Sequence, residues 1–87
     1  MAEVFIPHAL RPATGGIERV RVEGDTLGKV IERLEELYPG FKRGVLSDGA
    51  IKPGMTVICD HYPARLGLLE RVGRDTELHF VSAIAGG

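Results

Sequence analysis

Cysteine is nearly missing from this chain: Cys59 is the only one among 87 residues. One thiol cannot close an internal disulfide or supply the thiolate cage of a zinc or iron–sulfur site, and it fits a reducing cytosol. Excess charge of either sign is missing too. Eleven Lys and Arg against twelve Asp and Glu leave a formal net charge of −1, without the clustered basic face that nucleic acid or an anionic membrane would require. Those two partners are therefore not expected. No run approaches the roughly 18 apolar residues of a membrane span, and Met1-Ala2-Glu3 lacks the basic-then-apolar pattern of an export signal. A cytoplasmic protein is expected. There is no internal repeat, linker or low-complexity tract. Nor is there a phosphate-cradling glycine loop before a helix, a His and Cys pair at motif spacing, or a cluster of metal ligands, so no bound cofactor or metal is expected. Function is to be sought on the surface, in the loops and at the ends.

What is present describes one ordinary globule. A hydrophobic fraction of 44% and a charged fraction of 26% suit a single domain with one modest core. The distinctive stretch is the last, Ala83-Ile84-Ala85-Gly86-Gly87. Glycine lacks a Cβ, so a double-glycine end can pass through a slot that any side chain would block. Five extended residues reach about 16 Å, enough to carry a terminal carboxylate into a partner's active site. Ordinary fraying of a chain end is the competing reading. Against it, Leu78, Phe80 and Ile84 bring an apolar strand almost to the glycines, as for a tail fixed at its root. The expected organisation is a domain over 1–82 and a flexible tail over 83–87.

Along the chain, Val4, Phe5 and Ile6 read as a short strand that Pro7 ends or pushes to a sheet edge. A loop over 10–16 follows, with Gly15 and Gly16 at a turn rather than a phosphate site. The residues of 17–22 alternate, Val20 and Val22 facing one way and Arg19 and Arg21 the other, as in a half-buried strand. A hairpin with the first strand is the economical pairing. Asp25 or Thr26 can cap a helix, and Leu27, Val30, Ile31, Leu34, Leu37 and Tyr38 recur on one helical face until Pro39 and Gly40 stop it after about 12 residues. Glu35 and Glu36 sit where the helix dipole disfavours acids and read as a solvated face. A turn over 41–46 should seat Phe41 and Leu46 on the core. Loop signals flank Ala50 and Ile51, a third strand covers 56–59, and 60–74 is expected to hold a short strand or turn. The final strand, 77–82, alternates Leu78 and Phe80 with His79 and Val81. By strand parity Phe5, His79 and Val81 lie on the sheet face away from the helix; that face is either a partner-docking surface or is covered by neighbouring loops. One amphipathic helix with these strands predicts an α+β, β-grasp arrangement, a mixed sheet of 4 or 5 strands whose first and last strands pair in parallel, as in ubiquitin. Cys59, beside Val57 and Ile58, reads as a core thiol rather than a nucleophile or persulfide relay. His8, His61 and His79 are scattered and read as surface or hydrogen-bonding residues.

The sequence resembles the ubiquitin-like sulfur carrier proteins of the MoaD and ThiS family, and within it the CysO-type carriers that supply sulfur for cysteine synthesis. The matching residues are Ile6 and Pro7, Leu10-Arg11-Pro12, Thr14-Gly15-Gly16, Gly24-Asp25-Thr26-Leu27-Gly28, Val30 and Ile31, Leu34 and Glu35, Tyr38, and then Ala83 with Ala85-Gly86-Gly87. The chain departs from the pattern near Cys59 and Asp60, where an asparagine is common, and at Ser82, where many relatives have proline. The resemblance implies a carrier, not an enzyme. An E1-like adenylating enzyme would use ATP to make an acyl adenylate of Gly87, recognising the tail through Gly86, Ala85 and Ile84. A sulfur donor, a sulfurtransferase or cysteine desulfurase, would displace AMP to leave a thiocarboxylate, which a sulfur-accepting synthase would consume. The alternatives are the small subunit of molybdopterin synthase, a ubiquitin-like modifier joined to lysines, and an interaction module with an inert tail. An electron-transfer β-grasp protein is excluded by the cysteine count.

Overall fold

A computed structural model describes residues 1–82 of the chain; the expectations for 83–87 lie outside the described residues. Ala2–Phe5 forms β1, Arg19–Val22 forms β2, Leu27–Leu37 forms α1, and Phe41–Val45 forms α2. The remaining strands are β3 (Leu46–Ser47), β4 (Ala50–Ile51), β5 (Met55–Cys59), β6 (Tyr62–Pro63) and β7 (Glu77–Ser82). The main sheet has five strands in the order β2-β1-β7-β5-β6, and β3 and β4 make a separate hairpin. β1 and β7 run parallel at its centre, with Val4 opposite Leu78, while the other pairs are antiparallel. This is the expected β-grasp layering. It joins the two ends of the described chain in one core.

Helix α1 lies on the sheet because its stripe leaves it no other stable place. Leu27, Val30, Ile31 and Leu34 are fully buried, each contributing about 1.5–3 kcal/mol relative to exposure. Leu37, assigned to the same face by its spacing, is instead 43% exposed. It stands in the last turn, where Pro39 and Gly40 redirect the chain before the core can cover it. Thr26 caps the helix, its hydroxyl accepting from the Lys29 N–H at 3.2 Å. Asp25, the other candidate, pairs with Lys29. Gly24 has φ +150°, and a Cβ there would fall 2.9 Å from both the backbone nitrogen and Cγ2 of Val30. The glycine thus lets the chain cross tightly over the start of the helix.

Two segments are more regular than their sequence suggested. The 10–16 loop is largely a 3-10 helix, His8–Thr14, ended by Gly15 at φ +67°. The buried Thr14 hydroxyl lies 3.1 and 2.9 Å from the Arg11 and Ile17 carbonyl oxygens and pins its end. The expected turn over 41–46 is a five-residue helix, α2, with Phe41 and Val45 fully buried and Leu46 only partly. Phe41 packs edge-on against Phe80 at 5.6 Å. Gly44 leaves room for Leu10, whose Cδ2 a Cβ would strike.

Glu35, read from sequence as solvated, accounts for α2. Its carboxylate accepts from the Lys42 N–H at 2.8 Å and the Gly40 N–H at 3.2 Å, satisfying amides at the start of α2 from the end of α1. Those N–H groups, Lys42 first, hold the Glu35 carboxyl below its ordinary range. The less legible 60–74 region holds β6 and a 3-10 turn, Gly67–Leu69, whose Leu68 backs onto Gly28 of α1.

Candidate functional site

Strand β7 carries the root of the tail. Its last described pairs, Thr56 with Val81 and Met55 with Ser82, keep it in register with β5 up to residue 82. Ile84, Ala85, Gly86 and Gly87 lie outside the described residues. What the structure does place is the surface around the root.

Parity divides the strands cleanly. Val4, Val22, Val57, Leu78 and Phe80 point inward and are nearly or fully buried, leaving Phe5, His79 and Val81 on the open face. Val81 is 48% exposed and Phe5 and His79 are half-buried, so among the described residues no loop closes over this face. Phe5 and His79 stack with ring centroids 4.2 Å apart and planes 8° from parallel. Their strands run parallel in register, Phe5 opposite His79, and that register brings the rings together. Val81 stands one step further along β7, beside Thr56.

The structure adds neighbours that periodicity alone does not group. Arg19 lies opposite Phe5 on β2, and its guanidinium carbon sits 5.4 Å from the Phe5 ring centroid. Ile58 lies opposite His79, and Pro63 opposite Ile58. One row, Arg19, Phe5, His79, Ile58 and Pro63, therefore crosses all five strands. A second row, further from the tail, is charged: Arg21, Glu3 and Glu77. Glu3 Oε2 approaches Arg19 Nε at 3.4 Å, and Glu77 Oε1 lies 3.6 Å from His79 Nε2. Alternation signalled which residues share the face, but grouping them needed register, which depends on partner strands distant in sequence.

The other candidates stay apart. His8 and His61 are exposed on separate segments outside the strands, His8 at the start of the 3-10 helix and His61 in the turn between β5 and β6. Cys59 is half-buried on the inward side of β5, opposite Leu78 and packed against the core. Burial, then the Glu70 and Asp60 carboxylates, push its thiol above the ordinary range, which disfavours the nucleophilic thiolate. Among the described residues no group of three or more potential ligands could hold a metal ion, and no helix is long and apolar enough to cross a membrane. The surface offers positions for contact, and the described side chains form no constellation of acid, base and nucleophile.

Comparison with known proteins gives this geometry a context. No family model matches the chain. The sulfur carrier protein CysO of Mycobacterium tuberculosis strain H37Rv is 34% identical over 89 residues, covering 97% of this chain and 96% of CysO. The crystal structure of Mycobacterium tuberculosis CysO superimposes with a TM-score of 0.90 at 30% identity, covering 97% of this chain and 100% of that one. A chain of the Amycolatopsis orientalis BexX/CysO complex superimposes with a TM-score of 0.93 at 28% identity, covering 100% of both.

Proposed function

Because the chain belongs to the family of CysO sulfur carrier proteins, we propose that it carries sulfur on the carboxylate of Gly87 for cysteine biosynthesis. The observation that supports this most strongly is end-to-end similarity to a sulfur carrier, 34% identity across 97% of the chain. The chemistry follows from the tail. A terminal carboxylate has a pKa near 3.5, so at neutral pH it is an anion and a poor electrophile. An E1-like enzyme activates it: a carboxylate oxygen attacks the α-phosphorus of ATP, pyrophosphate leaves, and Gly87 becomes an acyl adenylate. The outer sulfur of a persulfide on a donor protein, a sulfurtransferase or cysteine desulfurase, then attacks the acyl carbon, and a C–S bond forms as the C–O bond to AMP breaks. A thiol supplies the two electrons that cleave the S–S bond of the resulting acyl disulfide, leaving the thiocarboxylate on Gly87 and a disulfide on the thiol side. A sulfur-accepting synthase consumes the thiocarboxylate. Nucleotide and catalytic groups belong to the partners, in the cytoplasm where ATP is available.

In this reading Ile84, Ala85 and Gly86 thread the enzyme's channel, and the domain body over 1–82 docks outside it through Phe5, His79 and Val81. Intact-mass measurement of the chain co-expressed with the activating enzyme and a sulfur source should show one oxygen replaced by sulfur. Deletion of Gly87 should abolish the shift. An unaltered mass in the presence of an enzyme that is active on ATP would defeat the proposal.

A further inference from the structure

We infer that Arg19 is the residue by which the activating enzyme recognises the body of this carrier, through a carboxylate on the enzyme's surface. The inference rests on the reading of Gly87 as the adenylated end.

The Arg19 guanidinium is held from two sides. The Phe5 ring lies 5.4 Å from its central carbon, and Glu3 meets its Nε at 3.4 Å. Among the described residues nothing is hydrogen-bonded or ion-paired to Nη1 or Nη2, and the side chain is 62% exposed. Lys29, Arg33 and Lys42 are ion-paired to Asp25, Glu36 and Glu32, and Arg21, the other arginine on this face, lies one row further from the tail. A guanidinium that meets Glu3 at Nε and the Phe5 ring along one face still offers its outer fork, which matches a carboxylate by two parallel hydrogen bonds. Stacking also restricts its rotamers before binding, which reduces the entropy lost when the partner arrives.

Position connects this fork to the tail. Arg19 is two strands from β7, about 10 Å at the usual strand spacing, and its row is three residues before Ser82, about 10 Å along the strand. The diagonal is about 14 Å. A protein interface of ordinary size covers about 800 Å² per partner, a disc about 30 Å across, so a footprint centred on the tail root reaches Arg19. Five residues beyond Ser82 span at most about 16 Å, which keeps the enzyme's body against this end of the sheet.

Electrostatics select the activating enzyme as the occupant. Adenylation must bring an anionic carboxylate beside the triphosphate of ATP, so the tail itself contributes repulsion. Binding energy then has to come from contacts remote from the reacting atoms. An apolar strip, Phe5 to Ile58, ending in an open guanidinium fork supplies such contacts.

The test is ATP–pyrophosphate exchange by the E1-like enzyme of the source organism, with the chain as varied substrate. Arg19→Glu should raise KM about tenfold or more, equivalent to about 1.4 kcal/mol, with kcat little changed. Arg19→Lys should fall between, since it keeps the charge and loses the fork. Arg74→Glu makes the same charge change in the turn before β7, at the end away from the tail, and should behave as wild type. Melting curves check folding, and Arg19→Gln replaces the Glu variant if that one unfolds. A wild-type KM for the Arg19 variants overturns the inference, as does an equal rise for Arg74→Glu or a defect confined to transfer onto the sulfur acceptor. Absence of exchange with the wild-type chain overturns the reading of Gly87 itself, and the inference with it.

Discussion

Leu78 and Val81 stand three residues apart on one strand, and they have opposite fates. Leu78 is fully buried beneath α1 in the central parallel pair, while Val81 is 48% exposed on the reverse side of the sheet. The two faces differ throughout in the same way. The covered face is packed with Val4, Val57, Leu78 and Phe80 against Leu27, Val30, Ile31 and Leu34; the open face carries Phe5, His79 and Arg19 in a stack flanked by Glu3 and Glu77. A small sheet that buries one side against a single helix keeps its other side available. One face holds the fold together, and the other can be shaped by whatever the protein meets.

That contrast can be attacked from its strongest side first. Leu78→Ala should lower stability by about 2–5 kcal/mol, the usual range for removing a buried leucine, and urea denaturation would measure it. Against a total stability of about 5–15 kcal/mol for such domains, that is a large fraction. A loss as small as that of a surface change would mean the covered face is not the principal source of stability.

Glu35→Gln tests a fastening at the edge of the helical layer. The folded carboxyl titrates below its ordinary value of 4.5 because it accepts from the Lys42 and Gly40 amides. Its contribution is therefore complete above the unfolded value and fades as the pH falls through the lower folded value. The wild type should be more stable than Glu35→Gln near neutral pH, and the gap in urea midpoint should narrow as the pH falls below the ordinary value of 4.5. A gap independent of pH would show that the carboxylate's charge plays no part in holding α2.

Val81→Ala should have the smallest effect, within about 0.5 kcal/mol, as expected for a surface substitution away from special features. The same denaturation series reads it beside Leu78→Ala. If the two losses were alike, the division between faces would collapse.

Much of this architecture was legible before any coordinates. The three-and-four spacing of Leu27, Val30, Ile31 and Leu34 located α1, because a helix turns its side chains through a fixed angle per residue. The alternation of Leu78 and Phe80 with His79 and Val81 separated the faces of β7 for the analogous reason. The short elements were less legible. Phe41 and Val45 mark one side of α2, but five residues contain too little repetition to reveal a helix, and a carboxylate seven positions earlier completes it. At the candidate site, parity placed Phe5, His79 and Val81 on one face, while Arg19, Ile58 and Pro63 joined the first two through pairing alone.

The sequence by itself determined which side of each long element seeks the core and where glycines and prolines interrupt the chain, since these follow from local period and backbone sterics. Only the tertiary structure decided which residues from separate strands become neighbours. Hydrogen-bond register between distant segments fixed Arg19 on Phe5 and Phe5 on His79, and no local pattern encodes a register set by strands more than fifty residues apart, as Phe5 and His79 are.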